Sequence, residues 1–590
     1  MLLPLVRNQP FLRNIRRTFQ VGKSPRRDEV FQIPIESLDK HGDGVTTIEW
    51  TTIQKQIEPT KVVVRGALPG ETVRVRVVSV FAGGGSAIHT VVLNVFGRRE
   101  HLIRPRENRE PWRSSVEPEL LPSDHTESKY FQPFDCPHFD RRHDESACSG
   151  CSVPHFNYTR QLVLKSKMLR EALQGAVDDE VLANLSVQPR SQITRFSSRH
   201  EIFAFSKRPL EAPVWGQLSF KEPLPGERRD KHFVGTPECR IISKSAQTVL
   251  KRMEDLVAVA HSDNPELFSV RNAVINRGYL RSAIVQTSRD RDKKPQILLT
   301  IVIATKPSPR FRRAIKEKVA DRLALEFPDL LKGVLLVGSR LNRDCDEQFF
   351  ENSENVQVLT GEDFITQYIP ALDRDVSVGP GTTLFDQEIN EQLLPELAAA
   401  VGESGPNPEV LELYSGDGSV SKLLADTSAS VTSMSERDVK LLIDEGLEPL
   451  ESEEDELRVI PEAGTPLDSP PLVRWENSGL STYHASPGKV DVAVISFPRN
   501  DGAKPEVKGV TPKKFRHWLG NVVRPNKVVI CTDKSDGLRK DIGHLRLMGY
   551  ELQNIKAWDG QPGTMDKIVS LVVMTKKPGY QPLSPEQLIE

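Results

Sequence analysis

From about residue 381 to its end, the chain alternates short apolar runs with segments of helical periodicity. EVLELYSG is followed by VSKLLAD, and ASVTSMS by DVKLLIDEG; later apolar runs are VDVAVISFP, KVVICT, YELQNIKAW and IVSLVVMTKK. Strands that alternate with helices predict a parallel sheet with helices on both faces. We therefore expect residues 381–590 to form a Rossmann-like α/β domain, with a surface loop within the acidic, proline-rich stretch 446–473.

A glycine-rich turn follows the first strand of this predicted domain, in VLELYSGDGSVSKLLA at 410–425. After Tyr414, glycines at 416 and 418 let the backbone turn tightly and let a ligand approach closely. The turn has neither GxGxxG spacing nor the GK[ST] of a P-loop, which favours a nucleoside over a cradled phosphate. S-adenosylmethionine suits such a turn. Glu436, after the next strand, is placed to hold a ribose, or is a solvated residue at a helix start.

The amino terminus has a different composition from the rest of the chain. Residues 1–27 contain seven basic residues and no acidic ones, and apolar residues alternate with arginine at roughly helical spacing. This pattern is typical of a cleaved mitochondrial presequence. The alternative is a disordered basic arm on a cytosolic RNA-binding protein. The presequence interpretation predicts a location in the mitochondrial matrix.

The length of 590 residues suggests three or four domains. Residues 28–105 contain four or five alternating strands broken by GALPGE and FAGGGS, which predicts a small β-barrel; their order resembles an OB-like TRAM domain. The polar, proline-rich residues 106–128 are expected to be a linker, and 129–380 an α+β central domain. No apolar run approaches eighteen residues, so no membrane span is expected.

Charge alone does not identify a nucleic-acid partner, because 79 basic and 81 acidic side chains nearly cancel. Basic stretches are nevertheless concentrated in the central domain, where they would meet RNA phosphates without choosing a sequence. The alternative for each stretch is an ordinary solvated face. These stretches are RRDKH at 228–232, KPSPRFRRAIKEK at 306–318, and Arg160 with Lys165.

Six cysteines are too few for a disulfide-stapled secreted protein, and three of them are clustered. Cys136 is followed after eleven residues by Cys148 and after two more by Cys151. A CxxC with a third cysteine nearby predicts a metal site, either a [4Fe–4S] cluster or zinc. Cys239 is a candidate fourth ligand, with His138 or His143 as substitutes; reduced cysteines without a metal are the alternative.

These motifs together resemble the TrmA/RumA-type RNA (uracil-5)-methyltransferase family, over about residues 30–580. The resemblance implies a TRAM domain, an iron–sulfur segment and a class I S-adenosylmethionine-dependent methyltransferase domain. The family's C…CxxC followed by Y..Q…K is similar to a set in this chain, although RRHDES lengthens the first spacing. That set is Cys136, Cys148, Cys151, Tyr158, Gln161 and Lys165, with Cys239 as the fourth cysteine.

Further segments extend the resemblance. LRSAIVQT and LLKGVLLVGSRLNRD resemble the family's central strands, and ELYSGDGS matches its cofactor loop. TLFDQEIN at 383–390 resembles F-x-Q-x-N with one residue inserted, so Gln387 is a candidate cofactor contact. The family's nucleophile lies in a strand-end SCNP, and VICTD places Cys531 at that position.

The implied chemistry is nucleophilic catalysis at the uracil ring. A thiolate adds to C6, C5 takes the methyl group, a base removes the C5 proton, and elimination frees the thiol. The target base must leave its stack to reach the thiol.

The chain departs from the family at its acid and base positions. DPPR of the family is SFPR here, so Ser496, which still borders the predicted cofactor pocket, replaces an aspartate. FPxTxHxE is QPGTMDKI: Asp566 takes the histidine position and Ile568 the glutamate position. Asp566 is either a substitute base or a loop carboxylate. Asp533, two residues after the thiol, would disfavour its thiolate.

Two functions follow. The retained cofactor loop and thiol favour an active mitochondrial methyltransferase acting on tRNA or rRNA. The missing acid and base favour a catalytically inactive relative that binds RNA in mitoribosome assembly or RNA processing. An iron–sulfur redox protein is disfavoured, because nothing in the sequence suggests an electron path to a partner.

Overall fold

The computed structural model describes two compact units. The first comprises the described residues up to Gln161, with those of Gln217–Cys239 and Pro562–Asp566; the second comprises the other described residues. The residues described are 30–39, 42–51, 57–65, 67–81, 87–95, 136–138, 148, 150–151, 153–190, 197–206, 211–218, 233–236, 238–271, 278–304, 307–338, 356–382, 384–425, 428, 430–434, 473–474, 490–496, 519–533, 535–565 and 567–580. The predicted presequence, the linker and the patch at 228–232 lie outside them and stay predictions.

Six strands form one sheet in the first unit, in the order β1-β5-β6-β4-β3-β2. The alternation of valine and arginine in β5 puts Val73 and Val75 into the core and leaves Arg74 between them half-buried. The sequence predicts four or five strands here, so that count was too low, and the TRAM assignment stays a prediction. The strands are β1 (Val30–Pro34), β2 (Ser37–Leu38), β3 (Gly44–Thr51), β4 (Ile57–Arg65), β5 (Thr72–Phe81) and β6 (Ala87–Val95).

The remaining elements have the following bounds. The helices are α1 (Tyr158–Leu173), α2 (Asp179–Asn184), α3 (Lys244–Asp263), α4 (Pro309–Ile315), α5 (Asp321–Glu326), α6 (Gln387–Gly402), α7 (Ser419–Ala425) and α8 (Ser535–Leu547). Residues Lys316–Ala320 and Leu519–Val523 are π-helical, and Pro370–Leu372 is a 3₁₀ turn. The strands are β7 (Val187–Gln188), β8 (Arg199–Phe205), β9 (Val214–Leu218), β10 (Phe233–Gly235), β11 (Leu280–Arg289), β12 (Pro295–Ile303), β13 (Leu331–Gly338), β14 (Val356–Gly361), β15 (Ile365–Ile369), β16 (Arg374–Val378), β17 (Glu409–Leu413), β18 (Ser430–Met434), β19 (Val473–Arg474), β20 (Val492–Ser496), β21 (Lys527–Thr532), β22 (Tyr550–Asp559) and β23 (Ile568–Lys576).

The second unit contains a mixed sheet in which β8, β11, β12, β13 and β14 are neighbours. β11 and β12 pair antiparallel across a charged turn. In that turn Lys293 has a φ of 63°. β13 then lies parallel to β12, which requires the crossover through α4 and α5.

The C-terminal sheet of the second unit has the predicted doubly wound form. Its order is β19-β18-β17-β20-β21-β23-β22-β7. The strands from β19 to β21 are parallel, and β23 is antiparallel to β21. The predicted mixed α/β class is thereby confirmed. No helix of the described residues is long and apolar enough to cross a membrane.

Side chains of the parallel strands alternate between two cores. Leu411, Ile495 and Ile530 lie in one cluster together with side chains of α1 and α8. Val494 and Cys531 lie in the other, with side chains of α6 and α7. Residues two apart on a strand share a face, so the sequence period of these strands determines which side chains meet beneath the glycine turn.

Candidate functional site

The glycine turn lies where predicted, between β17 and α7 at the carboxyl end of the sheet. Three of its residues have left-handed backbones: φ is 62° at Tyr414, 58° at Gly416 and 70° at Gly418. The Gly418 amide donates to the Ser415 carbonyl at 2.8 Å and closes the turn. Ligands of open α/β sheets bind beside such a turn, where backbone amides are accessible without a Cβ.

The acid within the turn, Asp417, joins the turn to the end of β16. Its Oδ2 accepts a hydrogen bond from the Gly379 amide at 2.8 Å, and its Oδ1 accepts one from the Ser419 amide at 3.1 Å. Ser419 Oγ lies 2.6 Å from the Ser377 carbonyl oxygen. Burial raises the pKa of Asp417, and these hydrogen bonds oppose that rise. The turn is therefore held in its shape by side chains of this chain.

Beneath the turn, three polar side chains lie on adjacent strands and face the same core. Glu412 of β17 accepts a hydrogen bond from Ser496 Oγ of β20 at 3.0 Å, and its other oxygen accepts one from the Ser421 hydroxyl. Ser496 is the register partner of Cys531 on β21. Glu412, Ser496 and Cys531 thus form a row across three strands, which we call the buried row.

The electrostatics of the buried row favour its neutral forms. Burial raises the pKa of Glu412 to about 7, although the serine hydrogen bonds partly oppose this. Burial also raises the pKa of Cys531 to about 12, and the charge of Glu412 adds to the rise. At neutral pH the thiol is therefore protonated in this conformation.

Cys531 lies near the end of its strand and is buried. It is the next-to-last residue of β21, which ends at Thr532, and both side chains are buried. The sulfur belongs to an apolar cluster with Val529 and Leu571. It is nevertheless connected to the strand of the glycine turn through Ser496 and Glu412. Its proposed role as a nucleophile stays a prediction.

Gln387, a predicted cofactor contact, makes a different set of contacts. Its Oε1 accepts a hydrogen bond from the Arg289 amide at 2.7 Å, and its Nε2 donates to the carbonyls of Arg289 at 3.1 Å and Tyr368 at 3.3 Å. The side-chain amide is therefore occupied by backbone groups in this conformation. Glu436 and Asp566, the predicted ribose and base residues, lie outside the described residues.

The segments that contain the clustered cysteines are hydrogen-bonded to one another. The Cys148 amide donates to the His138 carbonyl at 2.9 Å, and the Glu238 amide, one residue before Cys239, donates to His138 Nε2 at 3.3 Å. Burial, and more weakly the Cys136 thiolate, raises the pKa of Cys148 to about 11. Within the described ranges, no three side chains of His, Cys, Asp or Glu converge as a metal site. The thiol donors and the proximity of their segments fit a metal, but their side chains are not gathered around a centre.

Lys165 was expected to contact RNA, and this expectation was wrong. The ammonium is fully buried, and it forms an ion pair with the carboxylate of Asp559, which is equally buried. It also donates to the carbonyls of Gln561 at 3.1 Å and Lys567 at 3.2 Å. These three acceptors lie at the two ends of the loop between β22 and β23, so Lys165 is a structural cation.

Arg190, which the sequence analysis missed, completes this arrangement. Its guanidinium donates to Asp386 Oδ2 at 2.6 Å, to the Asp559 carbonyl at 3.3 Å and to the Gly560 carbonyl. No sequence pattern pairs Arg190 with groups almost 200 and 370 positions away. Only the expectation that a buried arginine needs an acid could have suggested a partner.

The sequence relatives of this chain are named as RNA methyltransferases. Relatives named uncharacterized RNA methyltransferases match at 22% identity in Clostridium acetobutylicum (74% of this chain, 83% of the relative) and 20% in Clostridium tetani (93% and 97%). A Bacillus cereus relative of that name is 21% identical, over 91% of this chain and 95% of its own. No family model matches the chain.

A solved structure shares the fold. The tRNA (uracil-54, C5)-methyltransferase of Pyrococcus abyssi, in complex with S-adenosyl-L-homocysteine, aligns with a TM-score of 0.51 at 15% identity, over 92% of this chain and 100% of that one. The sheet and its glycine turn define this chain as methyltransferase-like in fold. The expected resemblance is thereby confirmed at the level of sequence to relatives named RNA methyltransferases, and at the level of fold to a tRNA (uracil-54, C5)-methyltransferase.

Proposed function

We propose that this protein binds S-adenosylmethionine at the glycine turn and transfers its methyl group to carbon 5 of a uridine in tRNA or rRNA. The observation that supports this most directly is the position of the buried row, which brings Cys531 to the sheet face beneath that turn. The RNA substrate is supported by relatives named RNA methyltransferases and by the structural likeness to a tRNA (uracil-54, C5)-methyltransferase.

In this proposal Cys531 acts as the nucleophile. Its thiolate forms a bond to C6 of the uracil, and the electron pair of the C5–C6 double bond moves into the ring as an enolate. When bound, S-adenosylmethionine would supply an electrophilic methyl group: C5 forms a bond to this methyl carbon, the sulfonium–methyl bond breaks, and S-adenosylhomocysteine is the leaving group. A base, with Asp566 as the candidate, takes the C5 proton, and the C6–S bond breaks to restore the double bond and the thiolate.

The burial of Cys531 sets a condition for this chemistry. A thiol with a pKa near 12 supplies almost no thiolate at neutral pH. Bound RNA or cofactor must therefore open the site or bring a hydrogen-bond donor to the sulfur. Neutralising Glu412 would help, since its charge is one of the two causes of the raised pKa of Cys531.

The same burial favours a second function, RNA binding without turnover. A thiol that stays protonated, beside a serine at the family's aspartate position, cannot begin the addition to C6. Such a protein would retain the cofactor turn and the RNA-binding surfaces. It would then act in mitoribosome assembly or RNA processing.

The cysteine segments are part of the proposal. Cys136, Cys148, Cys151 and Cys239 would hold a [4Fe–4S] cluster, with zinc as the less favoured metal. The hydrogen bonds of His138 to the segments of Cys148 and Cys239 support a common site. A mitochondrial matrix location is proposed from residues 1–27, and sequencing the amino terminus of the mature protein tests it.

One experiment separates the two functions. Titration with S-adenosylmethionine in a calorimeter tests the cofactor site, and RNA containing 5-fluorouridine tests the thiol, because fluorine at C5 blocks proton removal and traps the adduct. An active enzyme gives a denaturant-stable RNA–protein adduct that disappears in Cys531→Ala and persists in Cys345→Ala. Cofactor binding without an adduct indicates the second function. Absence of cofactor binding contradicts the proposed site.

A further inference from the structure

A helical run in the second unit presents three neighbouring arginines to solvent. It consists of α4, the π-helical turn and α5, residues 309–326. Phe311 and Ile315 of α4 are fully buried. Arg310, Arg312 and Arg313 are exposed on the other side of the helix, and we call them the arginine face.

The backbone of the arginine face is firmly anchored. Ser308 Oγ accepts a hydrogen bond from the Phe311 amide at 3.2 Å and caps α4. The Phe311 ring stacks on Tyr279 with centroids 4.6 Å apart and an interplanar angle of 15°. The exposed side chains therefore project from a fixed helix, and binding does not have to order the backbone.

The cations around the arginine face form ion pairs with carboxylates. Lys316 pairs with Asp321 and Lys318 with Asp263, and Arg252 pairs with Glu326 at 2.6 Å. In the described part of the chain, no carboxylate lies within salt-bridge distance of the three arginines of the face. Glu317 is the only acidic residue of the sequence between 309 and 320.

The arginine face also costs the helix some stability. Arg310 lies in the first turn of α4, which contains no acidic residue. A cation there opposes the helix dipole. Arg310 thus breaks a local rule without compensation within the fold, as is expected at a binding surface, whereas Arg312 and Arg313 lie in the last turn of α4, where the dipole favours cations.

We propose that Arg310, Arg312 and Arg313 bind phosphates of the RNA backbone. This inference rests on the proposed function and identifies the part of the surface that holds its RNA. Guanidinium groups match phosphate bidentately and remain charged at any physiological pH. Contacts of this kind position RNA without reading its sequence. Among the described cations of the predicted basic stretch 306–318, these three arginines would contribute, because Lys316 and Lys318 are paired with carboxylates.

The test compares RNA binding by three full-length proteins. They are the parent, the triple variant Arg310→Gln/Arg312→Gln/Arg313→Gln, and a control with Arg252→Gln/Lys316→Gln/Lys318→Gln. The control removes the same charge from the same region, but from cations that already have carboxylate partners. The probe is a fluorescein-labelled tRNA transcript, and its affinity is measured by anisotropy between about 50 and 200 mM KCl.

Each phosphate contact contributes about 0.7–0.9 to the slope of log K against log salt. The arginine variant should therefore show a slope smaller by roughly 2–3 and an affinity lower by roughly tenfold to hundredfold near 0.1 M salt. The control should keep most of the parent's slope. A variant of the same three positions to lysine should keep the slope and lose part of the affinity, because a point charge replaces the bidentate group.

Equal slopes in the parent and the arginine variant would overturn the inference. So would unchanged RNA binding with lost binding to polyglutamate, which would indicate an acidic protein as the partner. A parent that binds no tRNA refutes the arginine face and the RNA substrate together. A parent that binds tRNA but no S-adenosylmethionine refutes only the proposed reaction, and the arginine face is still tested.

Discussion

Glu412 is a carboxyl group whose protonation is coupled to folding. Its pKa is about 7 in the fold and 4.5 in an ordinary setting, so between these pH values the folded state binds a proton that the unfolded state has lost. Stability therefore falls as pH rises through this window, by about 3 kcal/mol in total from this group. Glu412→Gln should remove this fall. The melting temperature of the variant should therefore rise relative to that of the parent between pH 5 and pH 8.

Glu409→Gln is the matched control for this prediction. Glu409 begins the same strand, but it is exposed. Its substitution should leave the pH dependence of melting unchanged. Parallel melting curves for the parent and Glu412→Gln across the window would show that Glu412 is ionised in the folded protein at low pH as well.

Substitution of Lys165 should lower the free energy of unfolding more than substitution of most other side chains. Lys165→Met leaves the Asp559 carboxylate buried without its cation, which typically costs about 3–5 kcal/mol. Lys167→Met, two residues along the same helix, removes an exposed lysine and should cost less than about 0.5 kcal/mol. Urea unfolding at pH 7 measures both. Similar midpoints for the two variants would mean that the Lys165 pair contributes little to stability.

Residue types were easier to predict than residue surroundings. The sequence placed Cys531 on a strand and Gly416 in a turn, because both properties follow from near neighbours. It did not reveal that Cys531 is buried, since burial depends on β23 and α6, which are distant in sequence. Lys165 was assigned to the surface for the same reason: its partner is 394 residues away.

At the scale of elements, the glycine turn gives a direct prediction. Gly418 has a φ of 70°, where a side chain costs about 1–2 kcal/mol. Gly418→Ala should therefore destabilise the protein by that amount and weaken S-adenosylmethionine binding, because the added Cβ narrows the approach to the turn. Melting temperature and calorimetric titration measure the two effects.

Gly402→Ala provides the comparison. Gly402 is the last residue of α6, and a Cβ there would meet no atom within 4 Å. This substitution should be neutral or stabilise by up to about 1 kcal/mol, with unchanged cofactor affinity. Equal cofactor affinity in the parent and Gly418→Ala would show that the cofactor does not bind at the turn.

Elements with strong apolar patterns were predicted well. β20, β21 and β23 have nearly the bounds of the apolar runs VDVAVISFP, KVVICT and IVSLVVMTKK, since polar residues border these runs. β7 was not predicted, because two residues are too few for a period and the strand exists only through its pairing with β22. The strand order of the C-terminal sheet was likewise not available from local patterns.

At the scale of the whole molecule, the chain does not divide at single boundaries. The first unit takes in Gln217–Cys239 and Pro562–Asp566 besides the amino-terminal residues. Changes in composition along the sequence mark linkers, but they do not mark segments that return to an earlier unit. All four candidate metal ligands lie in this first unit, although Cys239 is 88 positions after Cys151.

This distribution predicts which parts of the molecule depend on the metal. If a cluster joins Cys148 to Cys239, its loss should loosen the segments that the cysteines hold and leave the C-terminal sheet intact. In hydrogen–deuterium exchange, Cys148→Ser should therefore speed exchange in peptides covering 148–157 and 233–240. Exchange in β17, β20 and β21 should be unchanged. Cys345→Ser, outside the proposed ligand set, should change neither region.

The metal content of the purified protein is needed to interpret the hydrogen–deuterium exchange experiment. Protein purified without oxygen should contain iron and sulfide if the cluster is present, and zinc alone if it is not. Either metal should disappear in Cys148→Ser together with the protection of 233–240. Protection that persists in the metal-free protein would mean that the hydrogen bonds of His138 suffice to hold these segments, and the four cysteines would then be ordinary thiols.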